Sequence, residues 1–155
     1  MAEARTLPAS GIEARVREIG LVLPPAPKPF GAYVAAVQAG RLLFLSGMLA
    51  TENGRARYSG RVGVELDIDT GRMAARLAVL NGLALAREHL GSLDRIARAV
   101  RIGVAIASSG ELRDHPKVAD GASELLQQVL GTQRLPSRLV LGVASLPLGS
   151  PVELS

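Results

Sequence analysis

Residues 135–154 read LPSRLVLGVASLPLGSPVEL: an apolar run, a proline break, and a second apolar start. The run at 138–146 predicts a strand. Pro147 has no N–H to give to a ladder and ends it, and residues 151–155 (PVELS) begin another. Two strands need a sheet to join, and the upstream segments offer its other members.

Upstream, Asp114 followed by Pro116 is a helix-start pattern, and Val118, Ala122, Leu125, Leu126 and Val129 carry a helical period as far as Gly131. Before it, residues 97–107 (ARAVRIGVAIA) place Val100, Ile102, Val104 and Ile106 on one face of a half-buried strand. A long helix over about 71–90 is expected from Met73, Leu77, Leu80 and Ala84, with Asp69 or Thr70 as its cap and Gly91 closing it. Residues 61–66 (RVGVEL) are a further strand candidate. Residues 33–38 and 41–46 read as a hairpin turning at Ala39-Gly40, and Gly47 breaks its second strand. Residues 21–31 carry four prolines and form an extended connection, preceded by a short amphipathic helix over 12–19 with Ile12, Val16 and Ile19 on one face and Gly20 as its cap. The order of elements is that of an α+β domain with two helices packed on one sheet. Two helices cover only one face of that sheet, so the other face requires partners.

Composition narrows the chemistry. The chain has 155 residues, which suits a single domain. It has no Cys, which excludes a thiol nucleophile, thiolate zinc and iron–sulfur chemistry. Its two His, His89 and His115, are too few for a multi-histidine metal site in one chain; both are expected on helices as surface groups. The formal charge is +4, but the basic residues are dispersed with acids between them, and only four side chains are Phe or Tyr, so a nucleic-acid groove is not indicated. Neither a phosphate-binding GxxxxGK[ST] loop nor a nucleophile elbow is present. Met1 to Gly11 has no apolar run after Arg5, and no stretch is long enough to span a membrane; the expectation is a soluble, cytoplasmic protein.

From Phe30 onward the chain resembles the RidA (YjgF) family of reactive-intermediate deaminases, also called L-PSP endoribonucleases. Five stretches carry the resemblance: PKPFGAYVAAV at 27–37, FLSGMLA at 44–50, the helix at 71–90 running into GSLDRI, VADGASELLQQVLG at 118–131, and residues 135–154. The last is the most specific, with an Arg opening a strand, a Leu-Pro eight residues later and a Val-Glu near the end. The helix at 12–19 resembles the longer branch of the family, so residues 1–30 read as an N-terminal extension and 31–155 as the core of a single RidA-like domain.

The resemblance implies a chorismate-mutase-like α+β fold with one mixed sheet, assembled as a trimeric barrel with clefts between subunits. It implies hydrolysis of 2-imino or 2-enamino acids to 2-keto acids and ammonia, with no cofactor and no metal. Arg138 would bind the substrate carboxylate through two parallel N–H···O bonds, which a Lys cannot do; its plainer reading is a surface ion-pair Arg. Glu153 would orient the attacking water and move protons, or else be an edge-strand charge. Tyr33 would line the cleft, or else pack in an interface. Ser46 and Gly47 would shape the pocket, with Gly47 allowing close backbone approach. Asp120 falls where many members have Asn, Met48 where many have Gln, and Val140 where the best-studied branch has Cys, so a changed pocket is expected. The sequence also stops at Ser155, where family members usually continue, so either the last strand is short or the sequence is a truncated piece, and Glu153 would then be less firmly held. Two further readings are a non-catalytic trimer that binds small carboxylates and, with less support, an endoribonuclease.

Overall fold

The structure is a computed structural model that describes residues 11–155; most of the leading stretch read above for an apolar run lies outside the described residues. At its centre is a four-stranded mixed sheet in the order β3 (Met48–Leu49), β8 (Val152–Leu154), β6 (Arg101–Ala107), β7 (Ser137–Val143). β6 pairs parallel with β7 and antiparallel with β8. The parallel pair is joined through α3 (His115–Leu130), which supplies the long crossover that parallel neighbours need. α2 (Ile68–Leu90) lies beside α3 on the same face of the sheet.

The alternation expected of β6 decides which face that is. Ile102, Val104 and Ile106 are buried at 7%, 2% and 0% exposure, and they pack against Ala75, Ala78, Val79, Val118, Ala122 and Leu125 of the two helices. α1 (Ile12–Glu18) adds Ile12 and Val16 to the same core, and its Glu13 carboxylate accepts from the Leu93 N–H at 2.9 Å. On the other face, the β7 edge is not covered among the described residues: Leu139 and Leu141 of β7 are 44% and 52% exposed.

Several expected boundaries move. The cap of α2 is Asp67, not Asp69 or Thr70; its backbone is extended and its carboxylate accepts from the Thr70 N–H at 2.8 Å, which holds that carboxyl below its usual range. The strand expected over 61–66 does not form. Gly60 and Gly63 take φ of +126° and +85°, and the Leu66 N–H returns to the Arg61 carbonyl, so the segment closes on itself as a turn. Only Val62 reaches the sheet, donating to the Ala107 carbonyl at 2.8 Å. β6 starts at Arg101, and Val100 stands outside it, 61% exposed. The hairpin of β1 (Ala36–Ala39) and β2 (Leu42–Leu45) turns at Gly40-Arg41, one residue later than expected, and forms its own two-stranded sheet. A second small ribbon, β4 (Thr51–Glu52) with β5 (Arg55–Ala56), was not foreseen. β8 is short, as expected. It nevertheless lies between β3 and β6 and is hydrogen-bonded on both sides, so the backbone of Glu153 is firmly held.

Candidate functional site

The sheet register places the two charged residues singled out from the sequence. Arg138 is the partner of Ile102 on β6, and paired residues share a face, so Arg138 projects to the helix side. There its Nη1 donates to Asp120 Oδ1 at 2.8 Å and to Ser123 Oγ at 3.0 Å, both on α3. Glu153 is the partner of Ala105 and of Leu49, so it projects to the open side. Two strand spacings and three register steps separate the two residues, about 14 Å between their Cα atoms. One chain therefore holds Arg138 and Glu153 on opposite faces of its sheet.

Around Glu153 the structure assembles the remaining expected residues. A Cβ on Gly47 would overlap the Glu153 carboxylate, so only glycine lets that side chain lie against the strand break. Gly47 in turn lines a shallow, open cleft with Tyr33, Phe30, Met48, Leu49 and Thr51, among others. The Tyr33 hydroxyl accepts from the Phe30 N–H at 3.1 Å, and the ring, 48% exposed, forms part of the cleft wall. The Ser46 hydroxyl is committed to the Val34 carbonyl at 2.6 Å, so it fastens the cleft rather than facing it. The Glu153 carboxylate has no hydrogen-bond or ion-pair partner among the described residues, and partial burial pushes its carboxyl above the usual range.

Three contributors escaped the sequence reading. Asn81 is 3% exposed and its amide donates to the Leu49 and Thr51 carbonyls at 3.0 and 2.9 Å, tying α2 to the strand that follows Gly47. A lone Asn inside the apolar run LAVLNGLALA was the available signal, because a buried amide must find partners. Ser123 shares the Arg138 donor with Asp120, and its spacing of three residues on one helix face could have shown it. His115 is half-buried, not a plain surface group: its Nε2 lies 3.1 Å from Ser108 Oγ, above Gly142. Ser108 follows β6 and His115 opens α3, so only the fold brings them together. His89 is exposed as expected, with its Nε2 3.2 Å from Gln38 Oε1.

Comparison with known proteins gives this arrangement a family. Residues 13–154 match the model described as "YjgF/chorismate_mutase-like, putative endoribonuclease". The chain belongs to the YjgF (RidA) family. The match takes in α1, whose likeness to a longer branch of the family was read from the sequence, as well as the stretch from Phe30 onward. A curated relative, "Protein TCP17" of Trypanosoma cruzi, is 35% identical over 148 residues, covering 94% of this chain and 92% of its own. Among solved structures, one of a "putative endoribonuclease" from Shewanella oneidensis MR-1 superimposes with a TM-score of 0.88 at 30% identity, covering 94% of this chain and 96% of that one. Escherichia coli TdcF, solved with bound serine, has a TM-score of 0.60 at 22% identity over 83% of this chain and 88% of its own, a likeness that speaks for the fold alone. The α+β architecture of the YjgF family, with its mixed sheet and helices on one face, is the one observed. Among the described residues no helix is long and apolar enough to cross a membrane.

Proposed function

We propose that this chain hydrolyses small 2-imino or 2-enamino acids to 2-keto acids and ammonia, in clefts that two copies complete within a homotrimer. The observation that carries the reading is Glu153: a carboxylate without a protein partner among the described residues, set against Gly47 beside an open cleft, with its proton affinity raised by burial. A carboxyl raised above its ordinary range exchanges protons with a bound water more readily than an ordinary surface Glu.

In this reading Arg138 holds the substrate carboxylate. Water oxygen bonds to C2 of the imine as the C2=N π pair moves to nitrogen, and Glu153 takes a proton from that water and passes it to the nitrogen. In the resulting carbinolamine the hydroxyl proton passes through Glu153 to the nitrogen as the C–N bond breaks, so ammonia leaves, C2=O forms and Glu153 returns to its carboxylate. An enamine first takes a proton at C3 to become the imine. Only water is consumed. Because Arg138 and Glu153 lie on opposite faces of one sheet, the cleft draws Arg138 from one copy and Glu153, Gly47 and Tyr33 from another; the exposed Leu139 and Leu141 are apolar surface for such a neighbour to cover. The serine bound to TdcF carries the carboxylate and amino nitrogen that this substrate class would present.

The test generates 2-aminoacrylate in situ with a dehydratase and follows release of keto acid and ammonia. Wild type is expected to accelerate both, and Arg138→Ala to remove the acceleration. Equal rates for the two would refute the deaminase. Binding of 2-ketobutyrate that depends on Arg138, without turnover, would favour a carboxylate-binding trimer. RNA cleavage that survives extensive purification would favour the endoribonuclease.

A further inference from the structure

We propose that Asp120 tunes the Arg138 site to prefer zwitterionic ligands over simple carboxylates, and so to hold a protonated imino acid more tightly than the 2-keto acid product. This rests on Arg138 being the carboxylate anchor, as proposed above, and adds a specificity-determining residue to it.

Start with the guanidinium. Both hydrogens of Arg138 Nη1 are used within the chain, one by Asp120 Oδ1 at 2.8 Å and one by Ser123 Oγ at 3.0 Å. Nη2 and Nε have no partner among the described residues, and together they form the edge that accepts a carboxylate through two parallel bonds. Asp120 and Ser123 therefore orient the fork and leave one side of it for the ligand. The pair is partly exposed, 26% and 45% for the two side chains, so it contributes little to stability. Its main effect is on the charge that a ligand meets.

The cations around Asp120 are each already compensated. Arg72, which also lies near Asp120, pairs with Glu124 at 2.6 Å, and Lys117 pairs with Asp114 at 3.1 Å. With Arg138 paired to Asp120, and Asp69 lying beside Arg72, the cluster has no spare positive charge before a ligand arrives. A monoanionic keto acid seated on the Nε/Nη2 edge then adds a negative charge across the guanidinium from the Asp120 carboxylate, and like charges repel across that distance, more weakly than in contact. A ligand with an ammonium or iminium nitrogen beside its carboxylate brings its own compensating charge and meets less of that repulsion. Asparagine at 120 would keep an oxygen for Nη1 but remove one negative charge from the cluster, which favours the plain anion.

The experiment measures dissociation constants of 2-ketobutyrate and L-2-aminobutyrate by calorimetry, on the full chain, for wild type, Asp120→Asn, Ser123→Ala and Arg138→Gln. Asp120→Asn is expected to shift the ratio of the two constants about tenfold toward the keto acid, as suits one partly screened charge acting across the guanidinium. That shift should shrink in 1 M salt, while Ser123→Ala moves both ligands together. A ratio unchanged by Asp120→Asn, or one insensitive to salt, overturns the proposal. If Arg138→Gln folds as wild type and still binds both ligands, or if wild type binds neither, the carboxylate-anchor reading falls and takes this one with it. If Arg138→Gln loses both ligands while Asp120→Asn leaves the ratio alone, only the role of Asp120 is refuted.

Discussion

The two faces of the central sheet treat their residues in opposite ways. On the helix side, Ile102, Val104 and Ile106 are sealed under α2 and α3, and the one charge that projects there, Arg138, is matched by Asp120 and Ser123. On the open side, Leu139 and Leu141 keep about half their surface in water, and Glu153 has no protein partner among the described residues. The helix side is packed and charge-matched within one chain, with only the Nε/Nη2 edge of Arg138 left open among the described residues. The open side looks like half of something: apolar residues that water does not favour, and a carboxylate whose proton affinity is raised instead of being satisfied. A cleft that needs Arg138 and Glu153 together, as proposed, has to be built from one side of each of two copies.

The largest expected effect tests that division directly. Arg138→Gln and Glu153→Gln should each lower imine hydrolysis by about 10²–10⁴-fold, the range for loss of a positioned proton-transfer or orienting group. Mixed and allowed to exchange subunits, the two inactive variants should regain part of the activity, because some clefts then receive an intact Arg138 from one chain and an intact Glu153 from another. No recovery after verified exchange would mean that both residues serve the same chain's cleft.

Next in size is packing. Leu125 of α3 is fully buried, and Leu125→Ala should cost about 2–5 kcal/mol in thermal or denaturant unfolding. Leu141→Ala on the open face should change the unfolding of an isolated chain by no more than about 0.5 kcal/mol, yet move subunit dissociation to higher protein concentration in light scattering. Equal effects of Leu141→Ala on folding and on assembly would erase the contrast between the faces.

The smallest effect is a pH dependence. The Glu153 carboxyl is raised in the folded chain, so between its unfolded and folded values the native state holds more proton than the unfolded state. Its contribution is fully present below the unfolded value and is lost as pH rises through the folded one. Glu153→Gln should therefore melt at the same temperature as wild type at acidic pH and somewhat higher at neutral pH. A gap that is independent of pH would show that burial does not govern this carboxyl.

Much of this was readable in the residues themselves. The period of β6, the closure of α2 at Gly91 and the motif from Arg138 to Glu153 are local patterns, set by backbone sterics and by which side chains avoid water, and they hold wherever the chain goes, whereas β7 ends at Val143, before the Pro147 expected to end it. Where two local signals competed, the reading failed. The apolar alternation of 61–66 lost to Gly60 and Gly63, and Asp69 and Thr70 lost the capping role to Asp67, because a turn or cap depends on dihedral angles that composition does not reveal. The tertiary structure alone decided the parity of the register. Arg138 and Glu153 are fifteen positions apart in the chain, but their faces follow from pairing with Ile102 and Ala105, and a slip of one residue would have reversed either. Asp120, which the sequence offered as a pocket residue, became Arg138's partner for the same reason: α3 crosses the sheet where β7 turns that side chain toward it. The sequence determined which groups could do chemistry, and the pairing of strands determined which of them can meet.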